Sequence, residues 1–148
     1  MGSLTKFVLV AAVIGGGMKL FGLGPFAGSD STRGLDALTA RAKTEGKDKV
    51  VVLLTGTDWC PYCVELERNV IQTSEWQSFA SSEVVFESYE YPATGRPKSG
   101  VRGEMLERFD IEGFPTIVVL DANGKVLGEE AGYGGDSPGE VMDWIRTL

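Results

Sequence analysis

The sequence predicts an α/β domain, a four-stranded mixed sheet flanked by helices, with an apolar N-terminal segment in front of it. Three observations carry that reading. KVVVLLT, residues 49–55, is an unbroken apolar, β-branched run of the kind that forms a strand covered on both faces. Segments with apolar residues at helical spacing alternate with such runs. Asn123-Gly124, a pair that favours a tight hairpin, separates two further strand-like runs.

The elements follow in order. Leu35, Leu38 and Ala42 recur at helical spacing, and Gly46 closes that first helix. After the strand at 49–55, helical spacing resumes with Cys63, Leu66 and Val70. Ser74 reads as the cap of a further turn that buries Trp76 and Phe79. EVVFESYEY, 83–91, is the second strand, and PATGRPKSG, 92–100, is a Pro/Gly loop in which Arg96 and Lys98 read as solvated, with an acidic partner as the alternative. VRGEMLERFDI, 101–111, is a short helix with Met105, Leu106 and Phe109 on one side. PTIVVL, 115–120, and KVLGEEA, 125–131, are the third and fourth strands. Ser137, Pro138 and Glu140 occupy the cap, first-turn and capping-box positions of a last helix, in which Trp144 and Ile145 are core contacts. Strand, helix and strand in succession give a parallel first pair with a right-handed crossover, and the hairpin adds an antiparallel pair.

The chain has 148 residues, enough for one domain with a proper core. Its formal charge is −7, and the first 28 residues contribute only Lys6 and Lys19 to it, so the remainder is more acidic still. An acidic body argues against nucleic acid as a partner, because phosphate recognition needs clustered Lys and Arg. There is no histidine. That excludes a Ser-His-Asp triad, a Cys-His pair and a histidine metal cluster.

Residues 7–28 are apolar apart from Lys19. They have the length of a signal peptide or of a short membrane span, and the positive charge before them fits an inside N-terminus. Three fates stay open: cleavage, a retained anchor, or an apolar docking tail. Residues 29–34 read as a linker and 35–148 as the folded domain. Export, to a periplasmic or other extracytoplasmic location, is the expectation.

The two cysteines stand in TDWCPYC, residues 57–63. Two thiols are too few for a closed tetrahedral zinc site, so no metal is expected. No cofactor is called for either, since two sulfurs suffice for thiol-disulfide exchange. With a strand ending at Thr55 and a helix beginning near Cys60, Cys60 lies at a helix N-terminus. Unpaired N–H groups there stabilise a thiolate. Pro61 suits the first helical turn. Cys63, one turn on, is within reach of Cys60 and more buried. Cys60 then attacks a substrate disulfide, and Cys63 resolves the mixed disulfide.

TGTDWCPYC after a buried strand, followed by GFPTIVVLD and a closing hairpin and helix, resembles a thioredoxin-like domain. More narrowly it is similar to exported bacterial thioredoxin-family proteins with a Gly-Ser/Thr-Asp-Trp-Cys-x-x-Cys active site. The resemblance covers residues 33–148. It implies that Pro115 is cis and faces the dithiol, leaving the backbone of Phe114 to pair with a substrate strand. It implies that Trp59 flanks the disulfide at the surface, with Pro61 and Tyr62 between the cysteines, and it points to Gly132 and Tyr133 as groove lining, against a plain flexible turn.

The chain also departs from the family. Thioredoxin has a buried aspartate six residues before its first cysteine, and Leu54 stands at that spacing here. Glu67, four residues after Cys63 and on the same helical face, is the candidate acceptor of the resolving thiol's proton, with a solvated glutamate as the alternative. Pro61-Tyr62 matches glutaredoxins. We read it as setting the potential, at roughly −180 to −230 mV. Protein disulfides are the implied substrates and an unidentified thiol the electron donor. Two rivals stand beside this enzyme: a glutathione-dependent, glutaredoxin-like enzyme, and a non-catalytic subunit anchored in a membrane complex whose disulfide is a brace.

Overall fold

The computed structural model describes residues 33–148. Readings that fall on residues 1–28 and most of the 29–34 linker lie outside the described residues. Among the described residues, no helix is long and apolar enough to cross a membrane.

The elements run α1 (Leu35–Glu45), β1 (Lys49–Thr55), α2 (Pro61–Leu66) continuing into a π-helical turn (Glu67–Ile71), α3 (Ser74–Ser82), β2 (Val84–Glu90), α4 (Gly100–Arg108), β3 (Thr116–Asp121), β4 (Val126–Ala131) and α5 (Pro138–Thr147). The sheet order is β2-β1-β3-β4. β1 pairs in parallel with β2 and antiparallel with β3, and β3 pairs antiparallel with β4. β1 therefore has a neighbour on each side and helices on each face, as its unbroken apolar run predicts.

Strand alternation divides β1 between two cores. Val50, Val52 and Leu54 face a cluster with Leu35, Leu38 and Met105 of α1 and α4. Val51 and Leu53 face a cluster with Leu66, Val70, Trp76 and Ile145 of the opposite layer. Trp76 is fully buried there against Phe79 and Phe86, at centroid distances of 5.4 and 5.2 Å.

Three local expectations are corrected and one is met. Thr73, not Ser74, caps α3: its backbone is extended and its Oγ1 accepts the N–H of Trp76 at 3.3 Å, so Ser74 is already helical. The helix after Cys63 does not run on as a plain α-helix. The N–H of Gln72 reaches the carbonyl of Glu67 at 2.9 Å, the i→i+5 bond of a π turn, and the extra residue brings Ile71 inward beside Val70. α4 ends at Arg108 rather than at 111, because Asp110 takes a positive φ of 50°. The β3–β4 connection is the tight hairpin that its Asn-Gly pair favours. Asp121 Oδ1 accepts N–H bonds from Asn123 and Lys125 at 2.8 and 3.0 Å, and Gly124 supplies the positive φ of 83° that the turn requires.

The last helix begins as its sequence predicts. Ser137 and Glu140 make the reciprocal capping box with Pro138 behind them. Gly46 ends α1 in the left-handed conformation. At the start of the described chain, Arg33 is fixed to β2. Its Nε meets Glu87 at 2.7 Å, its Nη2 donates to the Ser88 carbonyl at 2.6 Å, and the Tyr89 hydroxyl donates to the Arg33 carbonyl.

Candidate active site

β1 and β2 end at the same edge of the sheet, and the loop after β1 carries the cysteines there. Cys60 is the N-cap of α2. It is extended, with φ −105° and ψ 109°, and its Sγ accepts the N–H of Cys63 at 3.3 Å. This is the position where a side chain satisfies one of a helix's unpaired donors, and an N–H aimed at an atom stabilises negative charge on it. Pro61 follows at the first helical position, exposed. Tyr62 is 61% exposed.

The two sulfurs, both free thiols, differ in environment. Cys60 retains 5% exposure and Cys63 none. Burial is the main reason the Cys63 thiol is pushed up to about 11, with the hydrogen bond to Cys60 adding to it. Cys63 is therefore a thiol at neutral pH.

The Phe114–Pro115 peptide is cis and lies against this pair. The Cys60 thiol donates to the Phe114 carbonyl at 3.6 Å. Pro115 is buried, and its carbonyl accepts the N–H of Gly132 at 2.7 Å, which ties the segment after β4 to the same spot. Gly132 has a positive φ of 88°. Among the described residues the Phe114 N–H makes no hydrogen bond.

Trp59 is 41% exposed beside Cys60. Its indole N–H donates to the Tyr91 carbonyl at 2.7 Å, and its ring meets Phe114 edge-on at 5.8 Å. Phe114 in turn packs on Tyr91 at 5.0 Å. The indole folds over Gly56: a Cβ there would sit 2.5 Å from Trp59 Nε1, so only glycine admits this arrangement. A groove of about 360 Å³ opens between Trp59, Tyr91, Arg96, Glu112 and Phe114. Arg96 is not the solvated cation expected of its loop. Its guanidinium donates to the carbonyls of Ile111 and Glu112 and lies 5.9 Å from the Phe114 ring centre, strapping the loop to the segment before Pro115.

Behind the cysteines lies a polar cleft of about 400 Å³ lined by Thr57, Glu67, Gln72 and Glu90. Glu67 is half-buried, and that burial raises its carboxyl above the usual range. The Glu90 charge adds to the rise and the Gln72 amide opposes it. Glu90 holds the active-site loop by accepting both the N–H and the hydroxyl of Thr57, at 3.0 and 2.9 Å.

Cys60, Cys63, Trp59, Pro61, Tyr62, Phe114, Pro115 and Gly132 are thus brought together, with Glu67 one turn further along the helix. Tyr133 stands apart: its ring packs against the core on the α5 side and its hydroxyl donates to the Asp136 carbonyl at 2.8 Å. Sequence reasoning missed Tyr91, Glu90 and Thr55, and it gave Gly56 only as part of the resembled motif, without the close approach of Trp59.

A model of the thioredoxin-like domain matches residues 35–147. The chain belongs to the thioredoxin-like family. Among curated relatives, the disulfide bond reductase DsbH of Chlamydia pneumoniae is 30% identical over 103 residues, 66% of this chain and 62% of that protein. The thiol:disulfide interchange protein DsbD of Actinobacillus pleuropneumoniae is 26% identical over 105 residues, 71% of this chain but 17% of its own. The chain thus spans under two thirds of the first of these relatives and a small part of the second. Among solved structures, a DsbH oxidoreductase superposes with a TM-score of 0.65 at 23% identity, covering 78% of this chain and 81% of that one. The C-terminal domain of Neisseria meningitidis DsbD superposes at 0.57 with 17% identity, covering 74% and 89%. These superpositions establish the thioredoxin fold with its four-stranded mixed sheet.

Proposed function

We propose that this domain is a thiol-disulfide oxidoreductase that reduces or isomerises protein disulfides through Cys60 and Cys63. The observation that carries the reading is the inequality of the two sulfurs beside the cis proline. One keeps a 5% opening to solvent under a helix N–H, and the other is sealed completely as a thiol. The curated relatives named for disulfide reduction and interchange support it.

The reaction balances over two exchanges. The Cys60 thiolate attacks one sulfur of a substrate disulfide, whose S–S bond breaks. A mixed disulfide forms on Cys60, and the departing substrate thiolate takes up a proton. Cys63 then loses its proton, its sulfur attacks Cys60 Sγ, and the second substrate thiol leaves. The substrate gains two electrons and two protons, and the domain is left with a Cys60–Cys63 disulfide that a thiol donor must reduce. Glu67 is the group proposed to receive the Cys63 proton, since a carboxyl raised by burial is a better base than an exposed one. The unpaired Phe114 N–H and the Trp59–Phe114 wall receive the substrate chain as an added strand. Residues 7–28 are proposed to direct export and to keep the domain at a membrane.

Trapping tests this. Cys63→Ser should accumulate disulfide-linked clients on Cys60, visible on non-reducing gels and absent from the Cys60→Ser, Cys63→Ser double variant. A Cys63→Ser protein that captures nothing, alongside a wild type that does not reduce insulin with dithiothreitol, would remove the enzyme and leave the brace.

A further inference from the structure

Thr55 ends β1, and its side chain is 1% exposed. Among the described residues its hydroxyl meets no oxygen or nitrogen at hydrogen-bonding geometry, and the Cys63 sulfur is the group it acts on. A buried hydroxyl without an oxygen or nitrogen partner is costly and rare, so its retention asks for a reason. Strand alternation supplies the direction. Leu54, at the spacing of thioredoxin's buried acid, faces the α1–α4 core and cannot approach the cysteines. Thr55 has the parity of Val51 and Leu53, which face the layer that contains α2. The polar atom within reach on that side is the sulfur of Cys63.

We propose that the Thr55 hydroxyl is a catalytic donor held for the Cys63 thiolate, bonding it as the resolving sulfur gives up its proton and attacks Cys60. This rests on the exchange reading above. The hydroxyl cannot be the base, because it donates and keeps its own proton. It lowers the cost of placing charge on a sulfur that has no access to water, which is the obstacle that burial creates. The Gly56 backbone acts on the same sulfur in the same sense. The titratable group that acts on Cys63 is Cys60 on its own helix, while Glu67, one turn on, interacts with Glu90 at the end of β2. Thr55 is thus an uncharged group one residue beyond the spacing at which thioredoxin carries its acid. It assists the anion without adding a second buried charge to repel it.

The test uses single-thiol Cys60→Ser protein, alone and combined with Thr55→Val, Thr55→Ala or Thr55→Ser. Thiolate absorbance of Cys63 is followed across pH. The midpoint should rise by about one pH unit in Thr55→Val and Thr55→Ala and return in Thr55→Ser. In the two-thiol protein, single-turnover release of the second thiol from a disulfide-linked peptide should slow ~10-fold in Thr55→Val, with capture of the first sulfur unchanged. Thermal unfolding separates this from a packing role. Val removes a hydroxyl without an oxygen or nitrogen partner, so Thr55→Val should be at least as stable as wild type while resolving more slowly. A folded Thr55→Val or Thr55→Ala with the wild-type midpoint and release rate overturns the proposal. The midpoint is read without Cys60, so it stands or falls independently of whether exchange is the natural activity. A wild type that fails to exchange at all would sink the earlier reading instead.

Discussion

Burial acts on Cys63 and Glu67 in opposite functional senses. It raises both, keeping the thiol protonated and making the carboxylate readier to accept a proton. A raised carboxyl has a stability signature. At neutral pH the folded protein holds a charge that the unfolded chain solvates better, so Glu67 opposes folding there. The opposition fades as pH falls through its raised value and is gone below the ordinary glutamate value. Glu67→Gln should therefore be more stable than wild type at pH 7 and indistinguishable near the acid end, by urea unfolding at each pH. If Glu67 is the proton acceptor, the same variant resolves mixed disulfides more slowly near neutrality. Unchanged exchange rates at every pH would leave only the solvated glutamate. The residues legible in the sequence were those whose type announces chemistry: two cysteines, a proline in Gly-Phe-Pro-Thr, a tryptophan before the first thiol. Thr55 was not legible, because its role depends on which face of β1 it takes, and spacing from the cysteine pointed to Leu54. Arg96 was misread for a related reason: a basic residue in a Pro/Gly loop looks solvated until the carbonyls it meets, at Ile111 and Glu112, are placed beside it.

At the scale of elements, caps decide where helices begin. Ser137 was legible because its box is written in four consecutive residues. Thr73 was not, because the π turn before it shifts the chain by one residue and Ser74 is an equally good cap by type. Both oxygens accept a backbone N–H at 3.3 Å, so Ser137→Ala and Thr73→Ala should each cost about 1 kcal/mol in equilibrium unfolding, with Ser74→Ala near neutral. A larger loss at Ser74 than at Thr73 would restore the original reading. The sheet was the more legible element: the apolar run of β1 announced a strand covered on both faces, while the division of its side chains between two cores emerged only in the structure.

For the whole molecule, the sheet order leaves β2 and β4 as edges. β4 answers with charge, Glu129 and Glu130 both being exposed along it. Acidic side chains on an outer strand hinder pairing with a second chain. The Glu129→Val, Glu130→Val double variant should show concentration-dependent association by light scattering under conditions where the wild type does not. The other edge, β2, carries Arg33, held by Glu87, the Ser88 carbonyl and the Tyr89 hydroxyl. That grip has a mechanical side. If the protein is held through the chain that precedes it, tension arrives first at a charged and hydrogen-bonded fastening on the outermost strand. Helix α1 begins only beyond it, and so is shielded from being peeled off the sheet by whatever the amino-terminal side is attached to.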